Sequence, residues 1–351
     1  MAYTTIDNPG EFFNTVIYTG NNGAQTVTGV GFQPDWVWIK DRDGTERHCL
    51  TDSVRGVLKE LRSNETAAES DRSAGDSGVA GVSAFNSDGF VLVHDDGYND
   101  NNSLQVSWNW KAGTSFTNDA SSTGVGSIDS AGSVSTDARF SIISWTGTGS
   151  NGTIAHGLGS VPKMIIIKDR SNTRNWQVYH VGYGNSGSGQ LNLTAAFSAD
   201  GMFQSTDPTS TVFSVGTSVN ANASSANIIA YCFADVKGYS KFGKYTGNGN
   251  ANGTFVYTGF KPEFVMVKRT SGTGNWHMAD NKRLGYNPDQ NDLFADLNNE
   301  EDTGNYTEIL SNGFKLINSE ATHNGSGSTF IYMAFSESPF VNSKGIPNNA
   351  R

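Results

Sequence analysis

One stretch returns three times along this chain and sets the terms for the rest. Residues 31–40 read Gly-Phe-Gln-Pro-Asp-Trp-Val-Trp-Ile-Lys, residues 161–168 Val-Pro-Lys-Met-Ile-Ile-Ile-Lys, and residues 259–268 Gly-Phe-Lys-Pro-Glu-Phe-Val-Met-Val-Lys. In each copy a proline (Pro34, Pro162, Pro262) stands six positions before a lysine (Lys40, Lys168, Lys268). Proline fixes φ and cannot donate a ladder hydrogen bond, so it belongs at the entry of a strand. The run behind it is apolar at nearly every position, the pattern of a strand covered on both faces. Three such strands at long spacing imply three copies of one module.

Composition selects the class. Of 351 residues, 41 are Gly, only 17% are charged and 11% are aromatic, which disfavours a helical protein. The 20 Phe, 12 Tyr and 7 Trp suffice to build cores, which disfavours disorder. The sequence therefore predicts an all-β chain of three tandem homologous β-sandwich modules, jelly-roll-like, each of roughly 100 residues. Their boundaries fall at residues 1–116, 137–238 and 239–351, with residues 117–136 read as a flexible Ser/Gly-rich linker. Residues 104–110 alternate apolar with polar and read as a half-buried strand.

A formal net charge of −10 without a basic cluster argues against nucleic acid as a partner. No apolar run is long enough to insert in a membrane, and the first residues lack a signal peptide, so synthesis in a cytosol is expected. Cys49 and Cys232 fall in different copies and read as two buried thiols.

Candidate sites are few. The six histidines show no metal-binding spacing, so no metal is assigned to them. Asp41 and Asp43, and Asp95 and Asp96, lie in oxygen-rich turns and are the weak candidates for calcium; otherwise no cofactor is expected. A glycosidase would need two carboxylates flanking one bond. Asp52 and Asp280 occupy matching slots, but His180 takes that place in the second copy, and residues 300–302 read as a solvated acidic loop. No catalytic residue is assigned. Trp176 and Trp276 recur beside Asn175 and Asn275, and are the candidates for stacking a glycan ring; the alternative is that each covers an end of its own sandwich.

Further motifs recur with the organising strand. Tyr18-Thr19-Gly20 returns as Trp145-Thr146-Gly147 and Tyr245-Thr246-Gly247; Ser87-Asp88-Gly89-Phe90 returns as Ser311-Asn312-Gly313-Phe314; residues 108–113 close the first copy as Trp-Asn-Trp-Lys-Ala-Gly. Together these resemble a repeated domain of unknown function found in virion and tail-fibre proteins of tailed, mostly marine, bacteriophages. The second and third copies depart from the pattern at its close, with Phe233-Ala234-Asp235 and Phe335-Ser336-Glu337. The resemblance implies a non-enzymatic virion structural protein, with a tail fibre or tail-associated host-attachment component as the first reading. A capsid (head) decoration or cement protein is the alternative, and a carbohydrate-binding module the second alternative. Its expected partners are other virion proteins, further copies of itself (a homo-oligomer, as a trimer by analogy with fibres) and a host surface glycan.

Overall fold

The structure is a computed structural model that describes residues 3–74, 79–94, 96–283, 287 and 291–348. It is nearly all β, with 43% strand and 5% helix. Three large antiparallel sheets share one order of strands. In the first, Phe13–Thr19 pairs with Leu104–Trp110, which pairs with Trp36–Asp41, which pairs with Cys49–Asp52. The second repeats this with Phe140–Thr146, Asn227–Phe233, Met164–Asp169 and Gln177–His180. The third uses Ser240–Thr246, Thr329–Pro339, Phe260–Arg269 and Trp276–Asp280. Each proline-to-lysine stretch thus supplies the same interior strand of its sheet. The registers agree as well: Trp36 lies opposite Trp110 and Asp52, Met164 opposite Phe233 and His180, and Phe264 opposite Phe335 and Asp280. A smaller sheet backs each large one, formed around Gly89–Val93, Val212–Val215 and Gly313–Leu316.

The apolar run of the interior strand is explained by where its two faces go. Val37 and Ile39, Ile165 and Ile167, and Val265 and Val267 each enter a separate core shared with the adjoining small sheet. Trp36 and Trp38, Met164 and Ile166, and Phe264 and Met266 turn the other way and meet in one common core. Trp36 stacks on Tyr231 of the second sheet at 4.2 Å, and Phe13 stacks on Phe335 of the third at 4.9 Å. Phe335 in turn lies 6.0 Å from Phe233. The three large sheets are therefore the walls of one aromatic interior.

The Tyr-Thr-Gly landmark has a local cause. A short helix precedes each closing strand, at Asp96–Asn99, Val219–Asn222 and Ala321–Asn324. A Cβ added to Gly20, Gly147 or Gly247 would stand 2.0, 2.1 or 2.4 Å from a backbone oxygen of the adjoining loop, so only glycine fits. Asn99, Asn222 and Asn324 fasten the same loops by accepting the N–H of residues 21, 148 and 248.

Two expectations are corrected. Residues 117–136 are not a flexible linker: Thr114–Asn118 and Ser130–Ser135 form two further strands on the second sheet, continuing onto Phe140–Thr146. Between them Asp119 caps the helix Ala120–Thr123, and Gly124 ends it in the left-handed region. The small residues permit close pairing; a Cβ on Gly132 would fall 2.0 Å from the Ile142 oxygen. Nor is Leu104–Trp110 half-buried, since every residue after Leu104 is buried. Its polar face is held by internal hydrogen bonds, with Asn109 Nδ2 donating to the Asn14 oxygen and Ser107 Oγ to the Val16 oxygen. Cys49 and Cys232 are both buried. Among the described residues, no helix is long and apolar enough to cross a membrane.

Trp36→Ala is expected to cost about 3–5 kcal/mol in chemical denaturation, because the ring is fully buried against a neighbouring sheet; a loss near zero would contradict the shared interior. Cleavage at Gly124 is expected to leave the two pieces associated on size exclusion, with the isolated C-terminal piece aggregating. A monodisperse, folded C-terminal piece would show that the first sheet is dispensable to the interior.

Candidate functional site

Trp176 and Trp276, the candidates for stacking a glycan ring, are 0% and 1% exposed, so neither can hold a sugar in this fold. Neither covers its own sandwich end alone; each is a bolt between sheets. Trp176 Nε1 donates to the Arg62 oxygen at 2.8 Å, and Trp276 Nε1 donates to the Gln190 oxygen at 2.9 Å. In the first sheet His48 holds the matching place and its Nε2 meets the Phe294 oxygen at 2.9 Å. The backbone N–H of all three residues is fixed in the same way, by the side-chain oxygens of Asn64, Asn192 and Asp296. The contacts pass round a closed circuit: second sheet to first unit, third to second, first to third.

A second layer follows the same circuit. The backbone N–H of Glu69 donates to the Arg170 oxygen, that of Phe197 to the Thr270 oxygen, and that of Glu301 to the Arg42 oxygen. Two of these positions add ion pairs, Arg170–Glu69 at 2.9 Å and Arg42–Glu301 at 2.7 Å. The carboxylates weighed for catalysis are occupied here. Asp52 accepts from the buried Arg55 and, at 2.7 Å, from Tyr231 Oη of the second sheet. Asp280 accepts from Arg283 at 2.7 Å and from Trp108 Nε1 at 3.1 Å. His180, in the matching slot, meets the Tyr332 oxygen at 3.0 Å.

The three recurrent lysines are fully buried and direct their ammonium groups at backbone oxygens. Lys168 Nζ donates to Thr66 and Arg174, Lys268 Nζ to Thr194 and Gly274, and Lys40 Nζ to Asp41 and Gly44. Desolvation pulls each of them down to about 8.

The calcium candidates Asp41 and Asp43 have their oxygens occupied by donors. Asp41 Oδ1 accepts the N–H of residues 43 and 44, and Asp41 Oδ2 and Asp43 Oδ1 share the Ser103 hydroxyl. This is an Asx turn stitched to the closing strand, and it corrects the reading of these two as free ligands. Asp96 opens the short helix Asp96–Asn99, and Asp95 lies outside the described residues.

One cluster escaped the sequence reading. His277, Asp292 and His323 are all buried, and one ligand-type atom of each lies within 4.8 Å of the others. They come from a large-sheet strand, the residue before Leu293–Phe294, and the short helix Ala321–Asn324. No spacing motif links them, so no sequence signal announces the cluster. Burial holds both imidazoles down to about 3 and raises the Asp292 carboxyl to about 7.

The surface carries an aromatic groove, of about 420 Å³, lined by Tyr3, Asp235, Lys237, Lys241, Tyr257 and Gly259. Tyr257 is 49% exposed and the nearby Phe255 45%. Lys237 Nζ lies 4.2 Å from the Tyr3 ring centroid.

The domain family described as Domain of unknown function (DUF7483) matches residues 8–339 in a single span through all three copies. No curated protein matches the sequence. Among solved structures, "Crystal Structure of the STIV MCP" aligns at 9% identity over 64% of this chain and 92% of that one, with a TM-score of 0.16. A likeness that low carries no argument about fold.

Acid sensitivity follows from the buried imidazoles of His48, His156 and His180. In each, Nε2–H donates to a backbone oxygen while Nδ1 accepts an N–H, from Trp38 Nε1, Leu158 N and Gly182 N respectively. Protonating Nδ1 breaks its bond. Desolvation lowers the three to about 3, 4 and 4, with Lys40 and Arg283 adding to the effect at His48. The unfolded chain then binds more protons below pH 6.5, and these groups withdraw stability as the pH falls from there toward 4. Glu263, raised to about 7 by burial, acts in the opposite sense. His48→Gln removes the titrating ring while leaving one acceptor and one donor on the side chain. Its stability is expected to fall less steeply than wild type between pH 6.5 and 4, by about 1.4 kcal/mol per unit; parallel urea-denaturation profiles would refute this.

Proposed function

Since the chain belongs to the family described as Domain of unknown function (DUF7483), which brings no activity with it, we propose its role from architecture: a non-enzymatic structural protein of a tailed-phage virion, tail-associated and engaged in host attachment. The observation that carries the proposal is the closed circuit of junctions around one interior. Three tandem homologous β-sandwich units interlock through His48, Trp176 and Trp276, and the result is a rigid body whose inner faces are used up. Polar groups of the kinds used in catalysis serve as bolts: Asp52, Asp280, His180 and Glu301 all bind across unit boundaries. Such a body works by presenting its outside. It is made in the bacterial host cytoplasm and binds other virion proteins and further copies of itself through outer surfaces.

Host attachment belongs to the Tyr3–Tyr257 groove. The half-exposed Tyr257 ring, beside Tyr3, Lys237, Lys241 and Asp235, combines ring stacking with hydrogen-bonding partners, as a surface glycan requires. A head decoration protein is the second reading, favoured by the threefold circuit within one chain, which matches the local symmetry of a shell built from trimers or hexamers.

Immunogold labelling of intact particles with an antibody to the purified protein tests the proposal. Gold on the tail, with slower adsorption to host cells for Tyr257→Ala, is the expected result. Gold over the head would transfer the protein to the second reading, and unlabelled particles would overturn both.

A further inference from the structure

We propose that His277, Asp292 and His323 form a structural binding site for a divalent transition ion of zinc's character. Two imidazoles and one carboxylate are a nitrogen–oxygen donor set suited to Zn²⁺. The three residues are 3%, 0% and 1% exposed, and one ligand-type atom from each falls within 4.8 Å of the other two. Existing contacts leave ligand capacity over. His277 Nδ1 lies 2.9 Å from Asp292 Oδ2, and His323 Nε2 lies 2.9 Å from Thr307 Oγ1. His277 Nε2, Asp292 Oδ1 and His323 Nδ1 have no hydrogen-bond partner among the described residues. Three unsatisfied polar atoms in one buried cluster are costly unless something binds them.

Two internal comparisons make the cluster unlike ordinary buried polar residues. The other fully buried histidines, His48, His156 and His180, have both ring nitrogens engaged. The residues that stand where Asp292 does in the other two units are also satisfied without an ion. Leu50 bridges Leu61, Val178 bridges Gly189, and Met278 pairs with Leu293, which makes Glu60, Ser188 and Asp292 equivalent. Glu60 is ion-paired to Arg47 at 3.0 Å and also to Arg62, and Ser188 Oγ donates to Gln177 Oε1 at 2.9 Å. Among the described residues, only in the third unit do two imidazoles face the carboxylate. Asp302 stands next to the cluster, its backbone paired with that of Asp292 and its carboxylate accepting from Tyr306 Oη at 3.2 Å. A metal here would tie the large sheet of the third unit to its short helix, in place of the ion pairs that satisfy the equivalent carboxylate in the first.

The test uses the full-length chain. Metal content is measured after purification with zinc supplied and excess removed by dialysis, and Co²⁺ is titrated into the metal-free chain. One Zn²⁺ per chain is expected, with visible d–d bands from Co²⁺ and a higher Tm with Zn²⁺ than with chelator. Asp292→Asn and His323→Ala are expected to lose the metal equivalent, the bands and the Tm rise. Should either variant fail to fold, X-ray absorption at the zinc edge of the wild-type chain decides the matter, since two imidazole ligands are expected. A chain that takes up neither ion, variants that bind as wild type does, or an absorption spectrum without histidine ligands would each overturn the proposal.

Discussion

The fold depends on burying both faces of one strand, three times. Trp36–Asp41, Met164–Asp169 and Phe260–Arg269 each give alternate side chains to a private core and the rest to the common interior. A sandwich standing alone would leave the second face wet. Here Trp36, Trp38, Trp108 and Trp110 are at most 1% exposed, which requires the neighbouring sheets to be present. The hydrophobic term for these rings, on the order of 1.5–3 kcal/mol each, is therefore realised between units as much as within them.

Polar chemistry fixes the register that hydrophobic burial leaves open. Aromatic packing is non-directional, whereas an indole N–H aimed at one particular carbonyl is not. His48, Trp176 and Trp276 each choose one oxygen on the adjacent unit, and buried Lys168 and Lys268 choose backbone oxygens of that same unit. Leaving any of these oxygens unpaired inside the molecule would cost about 1–3 kcal/mol. The junctions thus discriminate between the correct neighbour and a shifted one.

Much of this is legible in the sequence, and the failures have physical reasons. The proline entry and the unbroken apolar run announce a strand covered twice. The Tyr-Thr-Gly landmark is visible as a repeat, while the close backbone approach that requires its glycine appears only in the fold. Composition misleads at residues 117–136, because Ser, Gly and Ala report small side chains and say nothing of the backbone partners that make Ser130–Ser135 a strand. The sequence leaves Trp176 and Trp276 open between a glycan-stacking role and a covering one because the oxygens that receive their N–H, on Arg62 and Gln190, belong to a different copy. His277, Asp292 and His323 cannot be found by spacing, since three separate elements carry them and tertiary packing alone brings them together.

The circuit is closed without a covalent link at its seam. Asp7 accepts both the backbone N–H and the hydroxyl of Ser343, and Tyr3 Oη donates to the Gly259 oxygen, so the described head and tail of the chain lie side by side. Mechanically this makes a latch of the structure rather than a spring. A pull applied between the two ends meets these few hydrogen bonds first. Beyond them, the first strand is itself tied to the third sheet, by the Thr15 N–H on the Glu263 carboxyl and the Phe13 ring on Phe335, so opening the seam loads contacts on both sides of it.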